Sequence, residues 1–327
     1  MVDDFDCCSE ENELTPIPQD VRFKEAFLER YKIILGDKFD DYIKFSTSYI
    51  KKAIRVNTIK CSVNELKKRL ENDWLLEPVP WCKEGFWISY KHGKRFDIGN
   101  IPEHQLGYFY VQDPASMIPP VVLQPVAGDL VLDLCSAPGS KTTQMASLMN
   151  NEGMLFANDV QGNRLKPLGL NLQRAGITNC VVTLNANGRF VEGVFDKVLI
   201  DAPCSGTGTI RRSLKSALMW SPGLVKKMAR TQKHLIDLGF RLLKPGGEMV
   251  YSTCTQEPEE DEAIVSFLLD KYSNAEILDI DLNINSSNPI LEFDNKKYNF
   301  GVNKCLRIYP QDNDTEGFFV AKIRKIL

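Results

Sequence analysis

The 327-residue sequence predicts an α/β fold built on a mostly parallel, doubly wound sheet, and three observations carry that prediction. From Gly128 onward, short apolar runs alternate with helix-length segments, which is the rhythm of parallel strands joined by helical crossovers. The runs Lys197-Val198-Leu199-Ile200 and Glu248-Met249-Val250-Tyr251 are apolar without a polar alternation, as strands covered on both faces are. Each is followed directly by a small cysteine-bearing segment, Asp201-Ala202-Pro203-Cys204 and Ser252-Thr253-Cys254-Thr255. Carboxyl ends of neighbouring strands in an open α/β sheet face one crevice, so both thiols are expected in one pocket.

Composition narrows the class further. With 43% hydrophobic and 25% charged residues the chain has the make-up of an ordinary globular protein, and its length suggests two domains of roughly 150 residues. The start, Met1-Val2-Asp3-Asp4, is acidic and leads into no apolar segment, so no secretory signal or transit peptide is expected. No apolar run reaches the ~18 residues that span a bilayer, and no membrane partner is expected. Nine cysteines without a Cys-x-x-Cys spacing argue against a disulfide framework or zinc site and for a reducing cytoplasm. Three histidines, none paired at ligand spacing, leave metal chemistry without support. A monomer is expected.

Net charge is −3, but residues 1 to 20 hold seven acids and no base, which leaves the remainder at +4. Its bases cluster at Lys51-Lys52-Arg55, Lys67-Lys68-Arg69, Arg211-Arg212-Lys215, Lys226-Lys227-Arg230 and Lys322-Arg324-Lys325. Taken singly, each reads as a solvated face. Two of them flank the proposed pocket in sequence, which keeps contacts to a phosphate backbone in play.

In chain order, the acidic first 20 residues, with Pro16 and Pro18, read as a mobile tail. Phe23, Phe27, Tyr31 and Ile34 recur at helical spacing until Gly36-Asp37 interrupts them, which predicts one or two helices before Ile50. A strand at Ala53 to Asn57, a helix from Ser62 with Glu65 completing a capping box, and a strand from Leu75 make a small α/β module. A loop follows in which Trp81, Phe86, Trp87 and Tyr90 are interleaved with Lys83, Lys91, Lys94 and Arg95. Aromatics beside bases can stack nucleobases, and they can equally fill the module's core. After a linker holding Asp113-Pro114, strands are predicted at 130–134, 154–158, 180–184, 195–200 and 248–251, with Lys244-Pro245-Gly246-Gly247 turning the chain before the last. A closing hairpin near 306–309 and 317–323 brings the count to seven and makes the last strand antiparallel.

Where strand one meets its helix lies Asp133-Leu134-Cys135-Ser136-Ala137-Pro138-Gly139-Ser140-Lys141-Thr142. It fails the phosphate-loop spacing, because Ser140 separates Gly139 from Lys141, and it fails the nicotinamide fingerprint for want of Gly-x-Gly. What remains is another kind of nucleoside-binding turn, with Asp159 placed to accept from ribose hydroxyls.

Cys-Ser-Ala-Pro-Gly-Ser-Lys-Thr (135 to 142), Asp-Ala-Pro-Cys-Ser-Gly-Thr-Gly (201 to 208) and Tyr-Ser-Thr-Cys-Thr (251 to 255) together resemble the signature motifs of the RNA cytosine-C5 methyltransferases of the NOL1/NOP2/Sun family. Val111 to Ser116 and the ending Glu316 to Lys322 extend the resemblance over roughly residues 50 to 325. It implies a Rossmann-like class I methyltransferase domain at 113–327, a small N-terminal α/β domain at 21–112 that contacts RNA, and S-adenosylmethionine as cofactor. By the same resemblance, Cys254 is the nucleophile, Cys204 assists release, and Asp201 holds the cytosine edge, with Lys141 close by. Cys135, Ser136, Ala137, Pro138, Gly139, Ser140, Lys141, Asp159, Arg164, Asn187 and Asp201 are implied to hold the cofactor. Two departures stand out: Ser140 replaces a glycine of the first motif, and Asn187 stands where the family commonly has Asp, with Asn185 as the alternative contact to adenine. The compact N-terminal region, without a long basic extension, favours tRNA over rRNA as the RNA partner.

The residues support this chemistry by themselves. C5 of cytosine is a poor nucleophile until a thiolate adds at C6, after which C5 behaves as an enamine carbon able to take a methyl group. An acceptor other than RNA would need no thiol, and a non-catalytic RNA binder would need neither cysteine.

Overall fold

The computed structural model describes residues 23–93, 97–186 and 189–327. The expected tail, Lys94, Arg95 and Asn187 lie outside the described residues.

Helix Glu25–Leu35 ends where Gly36 takes a φ of +53°, and helix Phe39–Ser46 follows. Their buried aromatics Phe27, Tyr31 and Tyr42 pack against Trp220 and Tyr309 from far along the chain. Next come β1 (Ala53–Val56), β2 (Trp74–Pro78), β3 (Gly85–Tyr90) and β4 (Phe109–Val111), an antiparallel sheet in the order β2-β3-β1-β4. Between β1 and β2 the helix Val63–Leu70 starts at the expected capping box. The Ser62 hydroxyl accepts from the Glu65 N–H at 3.2 Å, and the Glu65 carboxylate accepts from the Ser62 N–H at 2.7 Å.

The aromatic segment expected as a loop is instead largely β3. Strand alternation turns Phe86 and Ile88 into the core with Ile54 and Leu66, and Trp81 is buried with its indole N–H on the Pro114 carbonyl at 2.9 Å. Core packing, not base stacking, therefore accounts for Trp81 and Phe86.

The second sheet contains β5 (Leu130–Asp133), β6 (Met154–Asp159), β7 (Cys180–Leu184), β8 (Phe195–Asp201), β9 (Leu243–Thr253) and β10 (Ala275–Leu278). After a small hairpin, β11 (Glu292–Phe293) and β12 (Lys296–Lys297), it is completed by β13 (Leu306–Ile308) and β14 (Phe318–Lys325). The order is β10-β14-β9-β8-β5-β6-β7, with β13 also on β14. From β9 through β7 every pairing is parallel, and β14 runs antiparallel to β9, as expected of the last strand.

Two features differ from the expectation. An eighth strand, β10, pairs with the second half of β14, and its four residues are too few to declare a period. Lys244-Pro245-Gly246-Gly247 does not precede β9 but bulges within it: Phe195 pairs with Leu243 while Lys197 pairs with Glu248. Helices Ser140–Leu148, Gly162–Ala175, Pro222–Leu242 and Glu262–Lys271 are the long ones flanking this sheet.

A buried charge cluster ties β13 to the segment after β9. The fully buried Arg307 donates to Glu262 at 2.7 and 2.5 Å, to Asp261 at 3.1 Å and to the Gln256 carbonyl at 3.2 Å. Asp261 in turn accepts from the Thr253 hydroxyl at 2.6 Å, beside Cys254. Removing one member of such a cluster strands the others in a low-dielectric interior, at a cost of about 3–5 kcal/mol. Arg307→Met is expected to lose stability of that size, read as a lower urea midpoint at an unchanged slope; a loss below about 1 kcal/mol would mean the cluster contributes nothing distinctive.

Candidate active site

The site grows out of the register of two strands. Asp201, the last residue of β8, lies opposite Ser252 in β9, and the Ser252 hydroxyl donates to the Asp201 carboxylate at 2.9 Å. Beyond the sheet the two chains stay zipped together. Ala202 N–H reaches the Ser252 carbonyl at 2.8 Å, and Gly208 N–H reaches the Cys254 carbonyl at 3.0 Å. The hydroxyls of Ser205 and Thr207 lie 2.7 and 3.0 Å from that of Thr255. At Gly208 a Cβ would sit 2.3 Å from the Gly317 carbonyl oxygen, so the close approach demands glycine. Helix Pro222–Leu242 adds Gln232, which donates to the Pro203 carbonyl at 2.9 Å.

This scaffold leaves the sulfurs of Cys204 and Cys254 3.3 Å apart. The Cys204 thiol is held well above the ordinary thiol range, first by its hydrogen bond to Cys254 and then by burial. Either sulfur can act as the donor in the pair.

Lys141, in the first turn of helix Ser140–Leu148, donates to Asp201 at 2.7 Å and to the Ser116 hydroxyl at 3.0 Å. Its ammonium lies 5.2 Å from the centroid of the Phe318 ring. The loop before it is built tightly. The Ser136 N–H and hydroxyl both donate to the Asn158 carbonyl, and Gly139 takes a φ of +104° where a Cβ would meet Leu168 at 2.8 Å. Asp159 accepts from the N–H groups of Ala137 at 3.3 Å and Gln161 at 2.9 Å, and Arg164 bridges Asp159 and the Ala137 carbonyl. Asp159 therefore orders the turn into the next helix as well as facing the cleft, and a carboxylate retains lone pairs for a further donor.

One cleft of about 650 Å³ collects most of the predicted residues: Cys135, Ala137, Pro138, Ser140, Lys141, Asp159, Arg164, Asp201, Cys204 and Cys254 line it. Ser136 and Gly139 stand behind the lining as supports of the loop. Asn187 is outside the described residues, and its neighbour Asn185 donates its backbone N–H to the Asp159 carbonyl at 2.9 Å.

Two lining acids had not been assigned a role from sequence. Asp113 accepts from Ala115 N–H at 2.9 Å and from Glu316 N–H at 3.4 Å, and Arg212 lies 3.0 Å from the Glu316 carboxylate. Burial pushes the Asp113 carboxyl up to about 6 and that of Glu316 up to about 8, the latter also because Asp113 is its neighbour. Both occur in the segments that carry the family resemblance, but only folding reveals that they meet.

The cleft suits a sulfonium nucleoside. Its volume is in the range of small-molecule sites. Its acceptors for a cation and for ribose hydroxyls are the carboxylates of Asp159 and Asp201, which are also paired with Arg164 and Lys141. Among the described residues no group of three or more His, Cys, Asp or Glu could hold a metal ion, and no helix is long and apolar enough to cross a membrane.

Residues 120–324 match the family model described as 16S rRNA methyltransferase RsmB/F, and residues 23–114 match that for the N-terminal domain of 16S rRNA methyltransferase RsmF. The chain is 44% identical to a tRNA (cytosine(49)-C(5))-methyltransferase of Pyrococcus abyssi, over 93% of this chain and 97% of that one. It is 42% identical over 94% of its length to ribosomal RNA small subunit methyltransferase F of Vibrio vulnificus, of which it spans 65%. Among solved structures, a methyltransferase homolog protein from Pyrococcus horikoshii superposes with a TM-score of 0.82 at 36% identity, covering 94% and 96% of the two chains. NSun6 from the same organism, solved with SFG, superposes at 0.81 with 25% identity, covering 94% of this chain and 99% of that one. The chain belongs to the NOL1/NOP2/Sun family of S-adenosylmethionine-dependent RNA cytosine-C5 methyltransferases.

Proposed function

We propose that this enzyme methylates a cytosine of tRNA through a covalent adduct, with Cys254 as nucleophile and Cys204 as the residue that lets the product go. The observation that carries the proposal is the pair of sulfurs 3.3 Å apart, beside Asp201, in the same cleft as the loop around Pro138. Similarity along nearly the whole of a tRNA methyltransferase supports tRNA ahead of rRNA. The N-terminal sheet, within residues 21–112, is proposed to contact the RNA.

S-adenosylmethionine, when bound, supplies an electrophilic methyl group. The residues do the rest. The Cys254 sulfur forms a bond to C6 of the target ring as its S–H bond breaks, and the C5–C6 electron pair is displaced towards N3, which takes up the proton by way of the Asp201 carboxylate, held between Lys141 and Ser252. C5 then takes the methyl group. Loss of the C5 proton to a base in the cleft returns its electron pair to the C5–C6 bond and expels the Cys254 sulfur. Cys204, with its sulfur 3.3 Å from that of Cys254, is placed to donate a hydrogen bond to the departing thiolate and so to assist its release. Cys135, Ala137, Pro138, Ser140, Asp159 and Arg164 are proposed to hold the cofactor, with Asp159 towards the ribose.

Cys254→Ala is expected to reduce methyl transfer by at least about a thousandfold, measured as tritium incorporated into RNA. Cys204→Ala is expected to complete the first bond-forming step and to accumulate a protein–RNA adduct that survives a denaturing gel. If the adduct formed instead with Cys254→Ala, the two roles would be exchanged. Mass spectrometry of RNA from cells lacking the enzyme is expected to find 5-methylcytosine missing at a tRNA position; loss confined to rRNA would refute the tRNA assignment.

A further inference from the structure

We infer that Arg55 and Asn171 are positioning residues through which the N-terminal sheet sets the affinity of the cofactor loop for S-adenosylmethionine.

In sequence Arg55 belongs to a basic cluster with the look of a solvated face, but only 2% of it is exposed. From β1 its guanidinium crosses to the other sheet's first helix. It donates to the Ser140 carbonyl at 2.8 Å, the Thr143 hydroxyl at 2.9 Å, the Gln144 side-chain oxygen at 3.2 Å and the Gln112 side-chain oxygen. These acceptors are all neutral, and burial pulls the guanidinium down to about 10. The location is costly for a cation, because the first turn of a helix presents the positive end of its dipole. An apolar side chain there would leave these acceptors without this donor, so what specifies the residue is what the fork holds.

A second hold reaches the same loop independently. The Asn171 side-chain amide donates to the Pro138 carbonyl at 2.9 Å and to the Tyr110 hydroxyl of β4 at 3.1 Å. The carbonyls of Pro138 and Ser140, on either side of Gly139, are thus both pinned by groups engaged with the N-terminal sheet. A trans peptide unit is planar with its C=O and N–H opposed, so fixing these two carbonyls fixes the N–H groups of Gly139 and Lys141. Those lie at the start of a helix, where N–H groups have no intrahelical acceptor and are the donors a ligand meets. Pro138, Ser140 and Lys141 all line the cleft.

The inference rests on the loop around Pro138 being the cofactor loop, and the test separates the two. Calorimetric titration of the full chain with S-adenosylhomocysteine gives the readout, alongside steady-state kinetics and RNA binding by filter retention. Arg55→Lys, which keeps the charge and loses the fork, is expected to weaken nucleoside binding about tenfold and raise the KM for S-adenosylmethionine to match. The kcat at saturating cofactor and the RNA affinity should stay within about twofold. Asn171→Ala, on an accessible helix face, is expected to act in the same direction by three- to tenfold, and it carries the test if Arg55→Lys does not fold. Nucleoside affinity within twofold of wild type in both variants, or a loss of RNA affinity instead, would overturn the inference. Asp159→Ala is the control: if it too left nucleoside affinity unchanged, the cofactor loop itself would be misassigned and the inference would fall with it.

Discussion

The parallel pairing of β8 with β9 is the constraint on which the site depends. Asp201 opposite Ser252 is one step of that register, and the segments that follow place Cys204 and Cys254 with their sulfurs 3.3 Å apart. A slip of one residue would turn every side chain of the slipped strand to the other face of the sheet and separate them. The register is guarded outside the sheet as well as within it. Hydroxyls of Ser205, Thr207 and Thr255 and the close contact of Gly208 with Gly317 continue the pairing where no strand remains. Antiparallel β14 then locks β9 from its other side, with Phe319 opposite Thr253.

Around this seam the protein buries an unusual amount of charge. Glu257, three residues after Cys254, accepts from Arg30, Tyr31 and Trp220, so the first helices are drawn onto the same seam. Arg307 does the same from β13 through Asp261 and Glu262. Ions removed from water are expensive and persist only where their partners are geometrically fixed. Such clusters contribute little net stability, but they penalise any arrangement that leaves one member unmatched. That suits a site in which two thiols and a carboxylate must keep fixed positions.

The two sheets meet at the loop around Pro138. Arg55 in β1 and Tyr110 in β4 reach the loop's helix and its carbonyls, directly or through Asn171. The sheet proposed to contact RNA therefore also reaches the loop proposed to hold the methyl donor.

The sequence by itself located seven strands of the second sheet, the antiparallel last strand, the capping box at Ser62 and the motifs carrying Cys204, Cys254, Asp201 and Lys141. Local patterns suffice there, because apolar runs, small-residue turns and helix caps act over a few residues. Tertiary structure decided what depends on distant segments meeting. It turned the aromatic stretch at 85–90 into a core strand, added β10 through its pairing with β14, and made a bulge of residues 244–247. It also took Arg55 out of a surface-looking basic cluster and brought Asp113 beside Glu316, 203 residues away. A side chain's type is fixed by the gene, but its burial, its partners and hence its charge state are set by whichever remote segment packs against it, and no local window contains that information.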